Sequence, residues 1–269
     1  MKNILKEEIS RIKELLSIKE GGDEFGKYMD STYLKTPEQA GINKEETDVI
    51  VFDTIKDAIE HNMKLVMIRP EYVKIAHEFI DGKKASVLVG TVIGFPNGDN
   101  SLGEKFDEAI QAIENGVDEL DYVVNYKAFQ KGDLDIIKKE VSEGTAIGVD
   151  AGKSVKWIIE SAALTSEQIA ELTKLISKIV IQSVGVEKAK NVFVKTSTGF
   201  FTPEDGSPGG ATIDAVSIMS QNAGPLKVKA SGGIYSKDDV LNMVNAGASR
   251  IGTSAAKEIM LGKETNKDY

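Results

Sequence analysis

Two lysines in this sequence stand at the ends of short apolar segments, where an amine could do chemistry. Lys195 follows the apolar residues 192–194 and precedes a Thr-Ser-Thr-Gly turn. Lys229 has the same setting in LKVKASGGI, residues 226–234. A lysine in an apolar strand must be paired, reach the surface or lose its proton. Two such lysines, each followed by a glycine-containing turn, predict a reactive amine beside a phosphate-binding loop.

The chemistry open to such a pair is Schiff-base catalysis. A neutral lysine amine condenses with an aldehyde or ketone, and the product acts as an electron sink for carbon–carbon cleavage. The pKa of that amine must fall well below the value of about 10.4 for free lysine, and burial and a second ammonium both lower it. Asp121 lies within VDELDYVVN, residues 117–125, on the strand face of Val123 and Asn125, and could transfer protons. Read alone, Asp121 could equally be a structural acid that pairs with a neighbouring lysine.

Strands alternate with helices along the whole chain. Apolar runs predict eight strands, at 27–34, 64–68, 86–96, 117–125, 155–161, around Lys195, around Lys229 and at 249–254. Helical spacing predicts an N-terminal extra helix in residues 1–20 and helices at 50–61, 71–80, 102–115, 134–143, 166–182, 211–221 and 237–245. We interpret the glycine-rich residues 144–154 as a loop or an irregular strand start. For 269 residues, this alternation predicts an α/β fold, a single (β/α)8 TIM barrel over residues 1–269.

Composition restricts the classes of function. The chain has 33 Lys and Arg against 42 Asp and Glu and no basic block, so nucleic acid and anionic membranes are poor partners. It has no cysteine, and its two histidines, His61 and His77, fall in predicted helices, so we expect no metal and no cofactor. The N-terminus carries charges throughout its apolar stripe, unlike a signal peptide, and we expect a cytoplasmic enzyme.

Polar residues and glycines recur near the predicted carboxyl ends of the strands, where the active sites of such barrels lie. The polar side chains are Asp30, Asp121, Asn125, Lys195 and Lys229. Glycine turns follow the last three strands, at Gly199, Gly232–Gly233 and residues 252–254. Backbone N–H groups in such turns approach anions closely, so these loops predict a phosphate site.

In order and spacing, these motifs resemble the deoxyribose-phosphate aldolase family of class I aldolases. The resemblance covers the whole chain and rests on MDSTYLK (29–35), VIGFP (92–96), VDELDYVVN (117–125), FVKTSTGF (193–200), VKASGGI (228–234) and IGTS (251–254). It implies reversible cleavage of 2-deoxy-D-ribose 5-phosphate to D-glyceraldehyde 3-phosphate and acetaldehyde, in deoxyribonucleoside catabolism. The expected partner is therefore a small phosphorylated sugar, and a homodimer is left open.

The resemblance also implies roles for individual residues. Lys195 is the Schiff-base lysine, Lys229 lowers its pKa, and Asp121 is the proton-relay acid. The phosphate-binding positions match Gly199, Gly232, Gly233, Gly252 and Ser254, and other substrate-binding positions match Asp30, Thr32, Asn125 and Lys156. Tyr269 ends a polar tail, residues 262–269, which we expect to be flexible. From there its phenol could reach the imine and help to transfer a proton.

Ser31 and Met67 depart from the family pattern without touching the expected chemistry. Ala255 stands where many members have a second serine, so we expect slightly weaker phosphate binding. Residues 201–208 form an insertion, which includes TPEDGSP and which we interpret as a solvated loop. Two alternatives remain: another Schiff-base aldolase on the same barrel, and a non-catalytic phosphosugar-binding protein. Mere binding does not require two lysines and an acid at these positions, which argues against the second alternative.

Overall fold

A computed structural model describes residues 25–263 and Thr265. Eight parallel strands close into a barrel in the order of the sequence, which confirms the predicted (β/α)8 fold. The strands are β1 (Met29–Thr32), β2 (Leu65–Ile68), β3 (Leu88–Ile93), β4 (Glu119–Val123), β5 (Ser154–Ile158), β6 (Val192–Lys195), β7 (Lys227–Ser231) and β8 (Arg250–Thr253). The predicted N-terminal helix and Tyr269 lie outside the described residues.

Helices surround the barrel and connect its strands. They are α1 (Pro37–Ala40), α2 (Lys44–Glu60), α3 (Val73–Gly82), α4 (Leu102–Glu114), α5 (Tyr126–Gln130), α6 (Leu134–Asp150), α7 (Ser166–Ala189), α8 (Ile213–Asn222), α9 (Lys237–Asn245) and α10 (Ala256–Met260). Their starts are encoded locally. Thr165, for example, caps α7 by accepting a hydrogen bond from the backbone N–H of Gln168, whose side chain accepts one from Thr165 in return. Within the part of the chain described here, no helix is long and apolar enough to span a membrane.

The two faces of the strands bury different chemistry. On β4, Leu120 and Tyr122 point outward into the apolar layer between barrel and helices, where Tyr122 stacks on Trp157 with ring centroids 4.8 Å apart. Glu119 and Asp121 take the opposite face, inside the barrel, and both are buried. The predicted alternation along β4 is therefore confirmed, and it places charged groups at the centre of the barrel.

The interpretation of residues 144–154 as a loop was wrong for its first half, because α6 continues to Asp150. Glycine in this stretch allows close packing rather than ending the helix. A Cβ on Gly144 would lie 2.9 Å from the Trp157 ring, and one on Gly148 would lie 2.3 Å from a methyl group of Val155. The helix therefore lies directly against β5, and Trp157 Nε1 donates to Thr145 Oγ1 at 3.0 Å.

Several predicted boundaries also differ from the structure. The strand predicted at 155–161 ends at Ile158, and a 3-10 turn follows at Ser161–Ala163. The helix predicted at 166–182 extends to Ala189, across a non-helical Gly185 with φ of 81°. The helix predicted from residue 50 already begins at Lys44, because Asn43 supplies an N-cap.

Candidate active site

The strand register brings the predicted lysines and acids together inside the barrel. Asp121 on β4 pairs with Lys156 on β5, and Lys195 on β6 pairs with Lys229 on β7. All four side chains are buried, with at most 3% of each side chain exposed. Four strands that are separate in sequence thus supply one compact group of charges.

Asp121 is the centre of this group. Its Oδ1 accepts a hydrogen bond from Lys156 Nζ at 2.6 Å. Its Oδ2 accepts from Lys195 Nζ at 2.9 Å and from Lys229 Nζ at 3.0 Å. One carboxylate therefore holds three lysine nitrogens, and the nitrogens of Lys195 and Lys229 meet at a single oxygen atom.

The electrostatics of this arrangement shift the pKa values of Asp121 and Lys195. Burial alone would raise the pKa of Asp121, but Lys156, Lys195 and Lys229 outweigh burial and hold that pKa well below its usual range. Burial lowers the pKa of Lys195 to about 8, against the attraction of Asp121 and with the help of the positive charge of Lys229. A substantial fraction of Lys195 is therefore a neutral amine near neutral pH, which is the form that adds to a carbonyl.

Lys195 is also the lysine of this group that reaches open space. A cleft lies at the carboxyl ends of the strands and opens to solvent. Seven residues that the sequence singled out contribute to its lining: Thr32, Lys195, Gly199, Gly232, Gly233, Gly252 and Ser254. Leu34 and Phe200 give the cleft an apolar side. The almost fully buried Lys195 thus has its amine at the wall of an open cleft.

Glycines shape this cleft in two different ways. Gly232 and Gly233 turn the chain after β7 in left-handed conformations, with φ of 81° and 71°, and a Cβ on Gly233 would enter open space. Gly252 instead lies within β8, where a Cβ would come within 3.0 Å of Lys229 Cε. Gly252 therefore lines the cleft and, because it has no side chain, also leaves room for Lys229.

Three predicted substrate-binding residues lie away from the cleft lining. Asp30 is fully buried and contacts Lys229 at 2.6 Å and Arg250 at 2.5 Å. Lys156 is fully buried between Asp121 and Glu119. Asn125 follows β4, and its side chain caps α5 by accepting a hydrogen bond from the N–H of Ala128. Their roles toward substrate remain predictions.

Glu160 is a candidate functional residue that the sequence reasoning missed. It follows β5 in a left-handed conformation, φ 52° and ψ 63°, which costs a non-glycine residue about 1 kcal/mol. Its buried carboxylate accepts hydrogen bonds from Thr198 Oγ1 at 2.5 Å and from Thr198 N at 3.2 Å. Burial raises the pKa of Glu160 to about 7. Glu160 thus holds the loop after Lys195 at the edge of the cleft. The signal for it was an acid near the carboxyl end of the apolar strand predicted at 155–161.

The sequence reasoning also gave no role to Glu119 or Arg250. Arg250 Nε donates to Asp30 Oδ1 at 2.9 Å, and its Nη1 donates to Glu119 Oε1 at 3.2 Å. Strand alternation could have found Glu119, because it lies two residues before Asp121 and so shares its face.

A closed parallel barrel with an amine–carboxylate group open to a cleft at the carboxyl ends of its strands defines a (β/α)8-barrel enzyme. Residues 27–262 match the family described as DeoC/LacD family aldolase. The chain therefore belongs to the DeoC/LacD family of aldolases, enzymes that make and break carbon–carbon bonds.

Relatives named as aldolases match nearly the whole chain. The deoxyribose-phosphate aldolase of Thermococcus gammatolerans is 38% identical over 242 residues, 90% of this chain and 97% of the relative. That of Streptococcus gordonii is 39% identical over 246 residues, 91% of this chain and 99% of the relative. Among solved structures, the tetrameric deoxyribose phosphate aldolase of Aeropyrum pernix superposes with a TM-score of 0.71 at 27% identity, covering 89% of this chain and 90% of that one.

Proposed function

We propose that this protein is a class I aldolase that reversibly cleaves 2-deoxy-D-ribose 5-phosphate to D-glyceraldehyde 3-phosphate and acetaldehyde. It forms a Schiff base on Lys195 and serves deoxyribonucleoside catabolism in the cytoplasm. The observation that carries the proposal is a buried lysine, Lys195, that contacts Asp121 at 2.9 Å and lines the cleft. Burial, which lowers the pKa of Lys195 to about 8, supports the proposal. The relatives named deoxyribose-phosphate aldolase support the substrate.

The first half of the reaction builds the electron sink. The neutral amine of Lys195 attacks the aldehyde carbon of the open-chain sugar and forms a carbinolamine. Loss of water from the carbinolamine gives a protonated imine. Asp121 lies 2.9 Å from the Lys195 nitrogen and is the group that moves protons in these steps, directly or through water. Lys229 contacts the same oxygen of Asp121 and keeps the amine of Lys195 from being fully protonated.

The second half breaks the carbon–carbon bond. The hydroxyl on the third carbon loses its proton, and the bond between the second and third carbons gives its electron pair to the imine. D-glyceraldehyde 3-phosphate leaves, and an enamine of acetaldehyde remains on Lys195. Protonation of the enamine carbon and hydrolysis of the imine then release acetaldehyde and restore the amine.

Substrate placement follows from the lining of the cleft. Gly199, Gly232, Gly233, Gly252 and Ser254 bind the phosphate, which backbone turns of this kind can approach closely. Thr32 lines the same cleft, which supports its proposed contact with a substrate hydroxyl. Asp30 does not line the cleft and acts on the site through its ion pair with Lys229, as Lys156 does through its ion pair with Asp121. Asn125 acts on the substrate from the end of β4.

Tyr269 is part of the proposal as the group that delivers a proton to the enamine carbon. Thr265 donates a hydrogen bond from its hydroxyl to the backbone oxygen of Tyr235 at 3.1 Å, and Tyr235 lines the cleft. Four residues of extended chain span at most about 14 Å, so an end tethered at Thr265 is within reach of the cleft.

A coupled assay for D-glyceraldehyde 3-phosphate tests the reaction. We expect cleavage of 2-deoxy-D-ribose 5-phosphate that excess EDTA leaves unchanged, and loss of turnover in Lys195→Arg, since a guanidinium stays protonated and cannot add to a carbonyl. Lys188→Arg is the matched control, because the side chain of Lys188 is 57% exposed. Absence of cleavage by the unaltered enzyme, or activity that EDTA abolishes and zinc restores, would overturn the proposal.

Assembly is a separate part of the proposal. The sequence left a homodimer open, and the Aeropyrum pernix relative is a tetramer. We propose an assembly of identical copies, and light scattering during size-exclusion chromatography distinguishes monomer, dimer and tetramer. A monomer at micromolar concentration would contradict it.

A further inference from the structure

Six charged side chains inside the barrel form a closed ring in which cations and carboxylates alternate. Asp121 contacts Lys156 at 2.6 Å and Lys229 at 3.0 Å, and Lys229 contacts Asp30 at 2.6 Å. Arg250 contacts Asp30 at 2.5 Å and Glu119 at 3.2 Å. Glu119 contacts Lys156 at 2.5 Å and closes the ring. In this charge ring every carboxylate therefore bridges two cations.

The charge ring is complete without Lys195. It joins Arg250, Lys229 and Lys156 to Asp30, Asp121 and Glu119, so its three positive charges equal its three negative charges. Lys195 is a seventh buried group, and within residues 25–263 its one ion-pair contact is with Asp121 Oδ2 at 2.9 Å, an oxygen that Lys229 already holds. With Lys195 protonated the buried group would carry one excess positive charge, whereas with Lys195 neutral it is balanced.

We propose that this closed ring makes Lys195 the buried group that gives up its proton, and that Glu119 and Arg250 are positioning residues that act on Lys195 through the charge balance of the ring. Neither residue lines the cleft, so neither needs to touch substrate. The proposal rests on the proposed function of Lys195 as the imine-forming amine.

The directions of the pKa shifts support Lys195 as the buried group that gives up its proton. Despite burial, which favours their neutral forms, the pKa values of Asp30, Glu119 and Asp121 are lowered by their cationic partners, and those of Lys156 and Arg250 are raised by their carboxylates. The pKa of Lys195 moves the other way, downward.

The charged groups that face Lys195 come from three sides. They are Asp121 on β4, Lys156 and Glu160 on and after β5, and Lys229 on β7. Glu160 adds a negative charge only above its pKa of about 7. The ring groups Glu119 and Arg250 act from further away, so a change in their charge tests the balance without removing a contact of Lys195.

Paired substitutions give effects of opposite sign. Glu119→Gln leaves the ring with an excess positive charge, and Arg250→Gln leaves it with an excess negative charge. The readout is the pH at which borohydride in the presence of acetaldehyde traps Lys195 at half of its maximal rate. Glu119 lies two residues before Asp121 on β4, and two residues along a strand span about 6.7 Å. Asp121 contacts Lys195 at 2.9 Å, so the charge of Glu119 acts on Lys195 across roughly 10 Å. At that distance one unit charge shifts the midpoint by about one pH unit.

We expect the midpoint to fall by about one pH unit in Glu119→Gln, to rise by about one unit in Arg250→Gln, and to return close to the unaltered value in the double variant. Arg250→Lys keeps the charge and loses the fork geometry, so it should stay near the unaltered midpoint. Asp135→Asn, on a side chain that is 92% exposed, controls for the loss of one negative charge from the whole protein. Shifts of the two single variants in the same direction, or no shift in either, would overturn the proposal.

A measurement on the unaltered enzyme covers the case in which the single variants do not fold. Selective labelling of lysine side chains and an NMR titration should show Lys195 losing its proton at lower pH than Lys156, and the reverse order would refute the proposal. If acetaldehyde and borohydride fail to modify Lys195 in the unaltered enzyme, the proposed function itself is wrong. If they modify Lys195 but the opposite shifts are absent, only the role of the ring is wrong.

Discussion

Replacing Lys229 with methionine removes the positive charge closest to Lys195 and keeps a side chain of similar length. The two lysine nitrogens lie 2.9 Å and 3.0 Å from the same oxygen of Asp121, so they are at most about 6 Å apart. Two unit charges at that distance repel each other by about 3 kcal/mol at an effective dielectric constant near 20, which corresponds to about two pH units. Lys229→Met should therefore raise the pKa of Lys195 from about 8 to about 10.

The expected result is a loss of activity that higher pH restores. At pH 8 the neutral fraction of Lys195 falls from about one half to about one hundredth, so kcat/KM should fall about 50-fold. The assay is kcat/KM for cleavage of 2-deoxy-D-ribose 5-phosphate between pH 6 and pH 10. The rising limb of that profile should move up by about two pH units.

Two control variants separate charge from shape. Lys229→Arg keeps the positive charge and should hold the midpoint, whatever it does to the maximal rate. Lys138→Met, on a side chain that is 56% exposed, should change neither the midpoint nor the maximal rate. A Lys229→Met profile that loses height but keeps its midpoint would refute the reasoning, because Lys229 would then act through contact or shape rather than through charge.

Three further predictions follow from other parts of the site. The raised pKa of Glu160 means that the folded state binds more protons than the unfolded state between the ordinary value of 4.5 and about 7, so its contribution to stability is lost as pH rises through that window. The free energy of unfolding should fall by on the order of 3 kcal/mol in total across this window, and Glu160→Gln should remove that fall. An unchanged fall in denaturant titrations at several pH values would contradict this. Gly233→Ala places a methyl group in the cleft and should raise KM for the phosphorylated substrate several-fold more than for 2-deoxyribose. Gly206→Ala is the control, because Gly206 has a similar φ of 75° and lies outside the cleft lining. If Gly233→Ala raised KM equally for both substrates, Gly233 would serve only the fold. Deletion of Tyr269 should lower kcat and slow the exchange of solvent protons into acetaldehyde without changing the melting temperature, and unaltered exchange would exclude its role.

Strand alternation and turn chemistry made the barrel and the lysine pair predictable. The apolar segment before Lys195 and the small residues after it are local signals, and β6 ends where they indicate. Helix α6 was harder to predict, because Gly144 and Gly148 reflect contact with Trp157 and Val155, which lie on another element. A glycine required by a tertiary contact cannot be told from a turn glycine in the sequence alone.

The charge ring shows a second limit of sequence reasoning. Asp30 and Arg250 are 220 positions apart, and their pairing depends on closure of the barrel between β1 and β8. The sequence indicated charged residues on several strands, but it did not indicate which charges would meet. Glu160 was missed for a related reason, since its partner Thr198 lies on the loop after the next strand.

The most direct test of the central claim is to trap the imine and locate it. The enzyme is incubated with acetaldehyde and borohydride, digested, and analysed by mass spectrometry for an N-ethylated lysine. We predict a single modification on Lys195, which the same treatment of Lys195→Arg abolishes. Modification of Lys229 or Lys156 instead, or inactivation without any modified lysine, would contradict the account.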